Sequence, residues 1–223
     1  MSRCVAFALA LLILTAPPAL AQAGTSPDPA QWEQAIRAFE TADTAAPPPK
    51  GGIVFIGSSS VRMWTSLATD FPGMPVINRG FGGSQLPEVT AYVGRIVTPH
   101  QPRQVIVYCG GNDINAGRSG DEVLAAFQGL VRTIHAAHPV ARIAYISIAP
   151  NPARWAQIET VKATNQAIKS WIATDPRLTF IDVFAAMLGP DGQPKPDIFL
   201  ADRLHMNAKG YAIWRAVVGP HLH

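Results

Sequence analysis

The sequence is poor in cysteine, in charged residues and in long apolar runs, and each shortage excludes a class of protein. Cys4 and Cys109 are its only two cysteines. Cys4 falls in a stretch with the marks of a removable export signal, so one thiol remains after cleavage and no internal disulfide can form. Cys4 also stands ahead of the apolar stretch rather than at its end, so it is not placed to become a lipidated first residue. Lys and Arg number 18 against 15 Asp and Glu, a net charge of +3. No basic cluster concentrates that excess, which argues against a nucleic-acid partner. The longest apolar stretch, residues 5–15, is too short to span a bilayer. A second apolar span and a basic amphipathic helix are also missing, so no membrane anchor is expected. His100, His135, His138, His221 and His223 show no metal-ligand spacing, and neither metal nor cofactor is expected.

What is present begins with the export signal. Residues 4–23 contain no charged side chain, Arg3 precedes them, Pro17 and Pro18 interrupt them, and small residues follow at Ala19, Ala21 and Ala23. Cleavage after Ala21 or Ala23 would send the protein to the periplasm or outside the cell. The later cut leaves 223 − 23 = 200 residues, enough for one compact core. The chain is therefore read as a signal peptide (1–23), a neck and helix with a Pro-rich linker (24–50) and a main domain (51–223).

Trp32, Ile36 and Phe39 recur at spacings of four and three, predicting one amphipathic helix that Pro47, Pro48 and Pro49 stop. Beyond it, short apolar runs at 53–56, 76–78, 105–109, 143–148 and 178–181 read as strands buried on both faces. Helical stripes lie between them. One carries Val123, Phe127, Leu130 and Ile134 behind a Ser119 to Glu122 capping box. A second carries Ile158, Val161, Ile168 and Trp171 or Ile172. The last spans 208–218, with Asn207 as its cap. This alternation predicts a parallel five-stranded sheet covered by helices, with reactive groups gathered beyond the carboxyl ends of the strands.

Polar residues fall at those ends. Gly57, Ser58, Ser59 and Ser60 follow the first strand, Gly80, Gly82 and Gly83 the second, and Gly110, Gly111, Asn112 and Asp113 the third, while Asp202 and His205 precede the last helix. A serine hydroxyl needs a base to take its proton and donors to hold the oxyanion its attack creates. Asp202, three residues before His205, can accept from imidazole Nδ1 and leave Nε2 free as that base. Gly83 allows close backbone approach, and Asn112 supplies a neutral side-chain N–H. Each feature also has a plainer reading: helix caps for the serines and Asp202, turn formers for Gly83 and Asn112. Their coincidence at four strand ends favours chemistry, without saying which serine acts.

The four blocks resemble those of the SGNH hydrolases, the GDSL-type esterase and lipase superfamily. Gly57-Ser58-Ser59-Ser60, the 78–84 loop, Gly110-Gly111-Asn112-Asp113 and Asp202-Arg203-Leu204-His205 match in chain order. The resemblance covers about residue 51 to the C-terminus. It implies a three-layer α/β/α sandwich, flavodoxin-like in plan. It also implies Ser59 as nucleophile, Asp202 and His205 as its partners, and an oxyanion hole from Ser59, Gly83 and Asn112. Ser58 and Ser60 replace the Asp and Leu of the family name, and Ser84 stands where many relatives carry Asp. No catalytic atom is lost by these changes. The resemblance implies an esterase, and the exported location and short insertions favour a small acyl group on a carbohydrate over a long lipid chain. A lysophospholipase or thioesterase of the same superfamily is the alternative within it. A non-catalytic flavodoxin-like module gripping a phosphate at residues 57–60 is the rival from another class. Arg62, Trp64, Arg154 and Trp155, just past strand ends, are candidate substrate contacts. Cys109 reads as a buried, inert thiol, and Asp113 as bonding within its own loop.

Overall fold

In the computed structural model, which describes Met1 and residues 29–223, five parallel strands run β1 (Ile53–Gly57), β2 (Val76–Gly80), β3 (Gln104–Tyr108), β4 (Arg142–Ile146) and β5 (Leu178–Ile181). The expected signal peptide lies outside the described residues. The helices are α1 (Glu33–Ala45), α2 (Ser59–Arg62), α3 (Leu67–Asp70), α4 (Leu86–Ile96), α5 (Gly111–Asn115), α6 (Gly120–Ala137), α7 (Ile158–Ile172) and α8 (Ala208–Val218). Strand order is β2-β1-β3-β4-β5, the α/β/α sandwich expected from the sequence.

Strand residues are apolar almost without interruption because the sheet is covered on both sides. Within β1, Val54 and Ile56 join Ile36 of α1, Val89 and Val93 of α4, Phe127 of α6 and Ile168 of α7 in one core. Ile53 and Phe55 face the opposite way, toward Val61 of α2, Leu67 of α3 and Trp214 of α8. The period-two alternation of side chains thus divides one strand between two cores.

Helix α4 is not among the helices read from the sequence. Its apolar stripe, Leu86, Val89, Val93 and Ile96, is buried, but its capping residue is Gln85, outside the usual Ser, Thr, Asp and Asn set. The Gln85 N–H donates to the Glu88 carboxylate at 2.7 Å, a capping box in function. Helix α1 docks on α4 through Arg95, which bonds Glu33 and Glu40. It also reaches β2, where Asp43 accepts from the Arg79 guanidinium. Among the described residues no helix is long and apolar enough to cross a membrane, and no group of three His, Cys, Asp or Glu side chains is arranged to hold a metal ion.

The chain leaves β1 for β2 on one side and returns to place β3 on the other. The loops after β1 and β3 therefore diverge at a topological switch point, where a crevice opens above the sheet.

Candidate active site

Gly57 ends β1 at φ +135°, and a Cβ there would stand 1.9 Å from the Tyr108 carbonyl oxygen of β3. Only glycine lets the two strand ends approach this closely while turning the chain outward. Ser58 N–H donates to that same carbonyl at 3.1 Å, and Ser59 opens α2, where its own N–H has no intrahelical acceptor.

His205 reaches Ser59 from the opposite end of the chain. Its loop is closed by the pairing of Phe199 with Met206 and by Leu200 N–H donating to the His205 carbonyl at 2.7 Å. Inside it Arg203 adopts a left-handed φ of 58°, a strained conformation for a residue with a Cβ. Asn207 then caps α8, accepting from Lys209 N–H at 2.9 Å. The Tyr211 hydroxyl of α8 donates to the Ser60 carbonyl at 2.9 Å, which ties this loop's helix to α2.

Within that frame His205 Nδ1 lies 2.6 Å from Asp202 Oδ2 and Nε2 lies 2.8 Å from Ser59 Oγ. A carboxylate accepts only, so Nδ1 carries the proton and Nε2 accepts from the serine hydroxyl. Asp202 Oδ1 accepts from the backbone N–H groups of Leu204 and His205, each at 3.0 Å. The His205 ring foremost, then these two N–H groups, pull the Asp202 pKa down to about 2. The carboxylate is thus charged at any working pH, although its side chain is 47% exposed.

Asn112, in the first turn of α5 after β3, lines the same pocket as Ser59 and His205. Its Nδ2 donates to the Ser84 carbonyl at 3.0 Å, and its Oδ1 accepts from Arg154 Nη1 at 3.0 Å. Ser84 in turn shares its single hydroxyl proton between the carbonyls of Phe81 at 3.0 Å and Gly57 at 3.3 Å, which joins the loops after β1, β2 and β3. Gly83 precedes Ser84 on the same loop at φ +79°, and a Cβ there would approach the Trp32 ring to 3.2 Å. It is exposed and is not among the residues lining the pocket.

Ser59, Asn112, Arg154 and His205 line one pocket with Ile148, Met187 and Phe199, and its interior room is about 40 Å³. Of the four side chains expected to touch substrate, only Arg154 is there. Trp64 is 1% exposed and packs among Phe55, Phe71, Tyr211 and Trp214. Its indole N–H donates to Asp70 at 2.6 Å, so it is a core residue with a satisfied polar edge. Arg62 lies against Gly82 and borders a separate groove with Phe39 and Ala68. Trp155 sits in a neighbouring groove with Pro194, Pro196 and Arg203. Proximity to a strand end in sequence did not decide the direction of these side chains.

Asp113 also departs from expectation. Instead of bonding only within its loop, its buried carboxylate accepts from the Leu86 N–H that begins α4, at 3.1 and 3.3 Å. Burial raises its pKa to about 6. Burial likewise pushes the Cys109 thiol well above its ordinary pKa, leaving it a poor nucleophile.

Residues 52–213 match the model of the GDSL-like Lipase/Acylhydrolase family, and the chain belongs to that family, whose activity is the hydrolysis of ester bonds. No curated protein matches it. Solved structures share its fold at low identity. A Streptococcus pneumonia protein provisionally described as a platelet activating factor superposes with a TM-score of 0.76 at 20% identity, covering 87% of this chain and 94% of its own. A GDSL-like lipase from Bacteroides thetaiotaomicron gives 0.70 at 17% identity, covering 83% and 96%. A mutant form of an acetyl-xylooligosaccharide esterase from Geobacillus Stearmophilus gives 0.59 at 17%, covering 76% and 93%.

Proposed function

We propose that the protein is an exported serine esterase that removes a small acyl group, acetyl above all, from a carbohydrate. The observation that carries this reading is the continuous hydrogen-bonded chain from Ser59 through His205 to Asp202, at 2.8 and 2.6 Å, opening on a pocket with about 40 Å³ of room. One water needs roughly 10–15 Å³ on the same measure, so the space favours an acyl group of a few heavy atoms. Similarity to a fold that also serves an acetyl-xylooligosaccharide esterase supports the substrate class, and the N-terminal composition supports export.

In this mechanism His205 Nε2 takes the Ser59 proton as Oγ attacks the ester carbonyl. Asp202 holds the ring and stabilises the imidazolium. The oxyanion rests on the Ser59 N–H and on the Asn112 Nδ2 proton left free by Ser84, with the Gly83 N–H, which lies outside the pocket lining, as the third donor that the family resemblance implies. As the tetrahedral intermediate collapses, His205 returns the proton to the departing alcohol. Water, deprotonated by the same ring, then attacks the acyl-serine, and the acid leaves as Ser59 regains its proton. The residues of this cycle supply every proton transfer without a cofactor.

The test is turnover of p-nitrophenyl esters of graded acyl length by the wild type and by Ser59→Ala. The expected result is hydrolysis of the acetyl ester with steep decline as the chain lengthens, and no turnover by the variant. A Ser59→Ala protein as active as the wild type would end the assignment, and a preference for long chains would end the small-acyl reading.

A further inference from the structure

We propose that Arg154 is a positioning residue that fixes which way the Asn112 amide faces and strengthens it as an oxyanion donor. The inference rests on the proposed oxyanion role of Asn112 and extends it to a side chain outside the Ser59, His205 and Asp202 relay.

A primary amide has two faces, and only the nitrogen face helps an oxyanion; the carbonyl face would repel it. Asn112 sits between two neighbours that cannot change role. Arg154 is a donor only, and its Nη1 is 3.0 Å from Asn112 Oδ1. The Ser84 carbonyl is an acceptor only, and it is 3.0 Å from Nδ2. A flipped amide would set Nδ2 against a guanidinium and Oδ1 against a carbonyl oxygen, losing both bonds. The pair therefore fixes the amide, and the second Nδ2 proton remains for the substrate.

Arg154 also supplies charge. Nη1 makes a second bond to the Gly111 carbonyl at 3.0 Å, so one nitrogen spans two consecutive residues of the α5 turn. Among the described residues no carboxylate pairs with this half-buried guanidinium. Its field therefore falls on the Asn112 carbonyl oxygen with little cancellation. A charge-assisted bond at that oxygen draws electron density from the amide nitrogen and makes its protons better donors. The backbone that carries this guanidinium is held in place, because the Arg154 main-chain N–H donates to Asn151 Oδ1 at 2.9 Å.

A double-mutant cycle on p-nitrophenyl acetate, a neutral substrate offering no anion to the guanidinium, tests the coupling. Arg154→Met is expected to lower kcat about tenfold with KM changed less than about twofold, the signature of an interaction felt mainly in the transition state. Arg154→Lys, which still donates, is expected to recover part of that loss. In an Asn112→Ala background the Arg154→Met change is expected to cost nothing further, because the donor it orients is gone. Should Arg154→Met fail to fold, the same comparison is made with Arg154→Lys in both backgrounds. An active wild type whose Arg154 variants keep full kcat, or lose as much with Asn112→Ala as without it, would overturn the inference alone. A wild type without esterase activity would remove the reading beneath it as well.

Discussion

On one side of the pocket Asp202 and His205 are bonded within a single turn, three residues apart, with the carboxylate half open to water. On the other, Asn112 is held by Ser84 and Arg154, which lie 28 and 42 residues away. The proposed acid–base side is local, so the chain needs only a short loop closed by Phe199 and Met206 to form it. The proposed donor side exists only once loops after three strands have converged. One carboxylate from each side shows the same contrast. Asp202, hydrogen-bonded in the open, is driven down to about 2, whereas Asp113, buried between loops, is driven up to about 6.

Four substitutions would break or sharpen this contrast. Replacing His205 by Ala is expected to have the largest effect, lowering kcat by about 10⁴ or more and abolishing fluorophosphonate labelling of Ser59; undiminished labelling would place the base elsewhere. Asn112→Ala is expected to lower kcat by about 10² to 10³, as loss of an oxyanion donor does, with steady-state kinetics as the measure. Asp202→Ala is expected to cost somewhat less, about 10² within the general range for acid–base assistance, because water can enter the vacated, exposed site and partly replace the carboxylate. A loss as large as that of His205→Ala would show the turn to be less solvent-tolerant than its exposure implies.

The smallest effect concerns stability against pH. Asp202 is depressed, so the stability its charge contributes is present above about 3.8, its ordinary value, and is lost as pH falls toward 2. Asp113 is raised, so its buried charge costs stability above about 6, and that cost disappears as pH falls toward 3.8. Asp113→Asn is therefore expected to flatten the change in Tm between pH 7 and pH 4, leaving the decline below pH 4 in place. Thermal melts across that range would measure it. An unaltered slope would mean that Asp113 does not titrate there.

Much of this was legible before any coordinates. Apolar runs announced five strands, and the Ser119 and Asn207 caps announced α6 and α8, because these signals are local and chemically distinct. Helix α4 was missed because Gln85 is an uncommon cap, although Pro87 in its first turn is a helix-start signal. Trp64 and Arg154 show the limit most clearly. Both are large side chains just beyond strand ends, yet one is enclosed by aromatic rings of the core and the other lines the pocket. Nothing in their sequence context distinguishes them, since side-chain direction depends on what the loop packs against.

The sequence alone determined the alternation of strands and helices, the residue types able to carry proton transfer, and the local Asp202 and His205 pair, since each depends on periodicity or on neighbours a few residues apart. Only the tertiary structure decided that Ser59 meets His205, that the Asn112 amide faces Ser84 and Arg154, and that Asp113 ties one loop to the start of α4. Those contacts depend on where separate chain segments come to rest at the switch point of the sheet, and their geometry is set by packing rather than by any one segment.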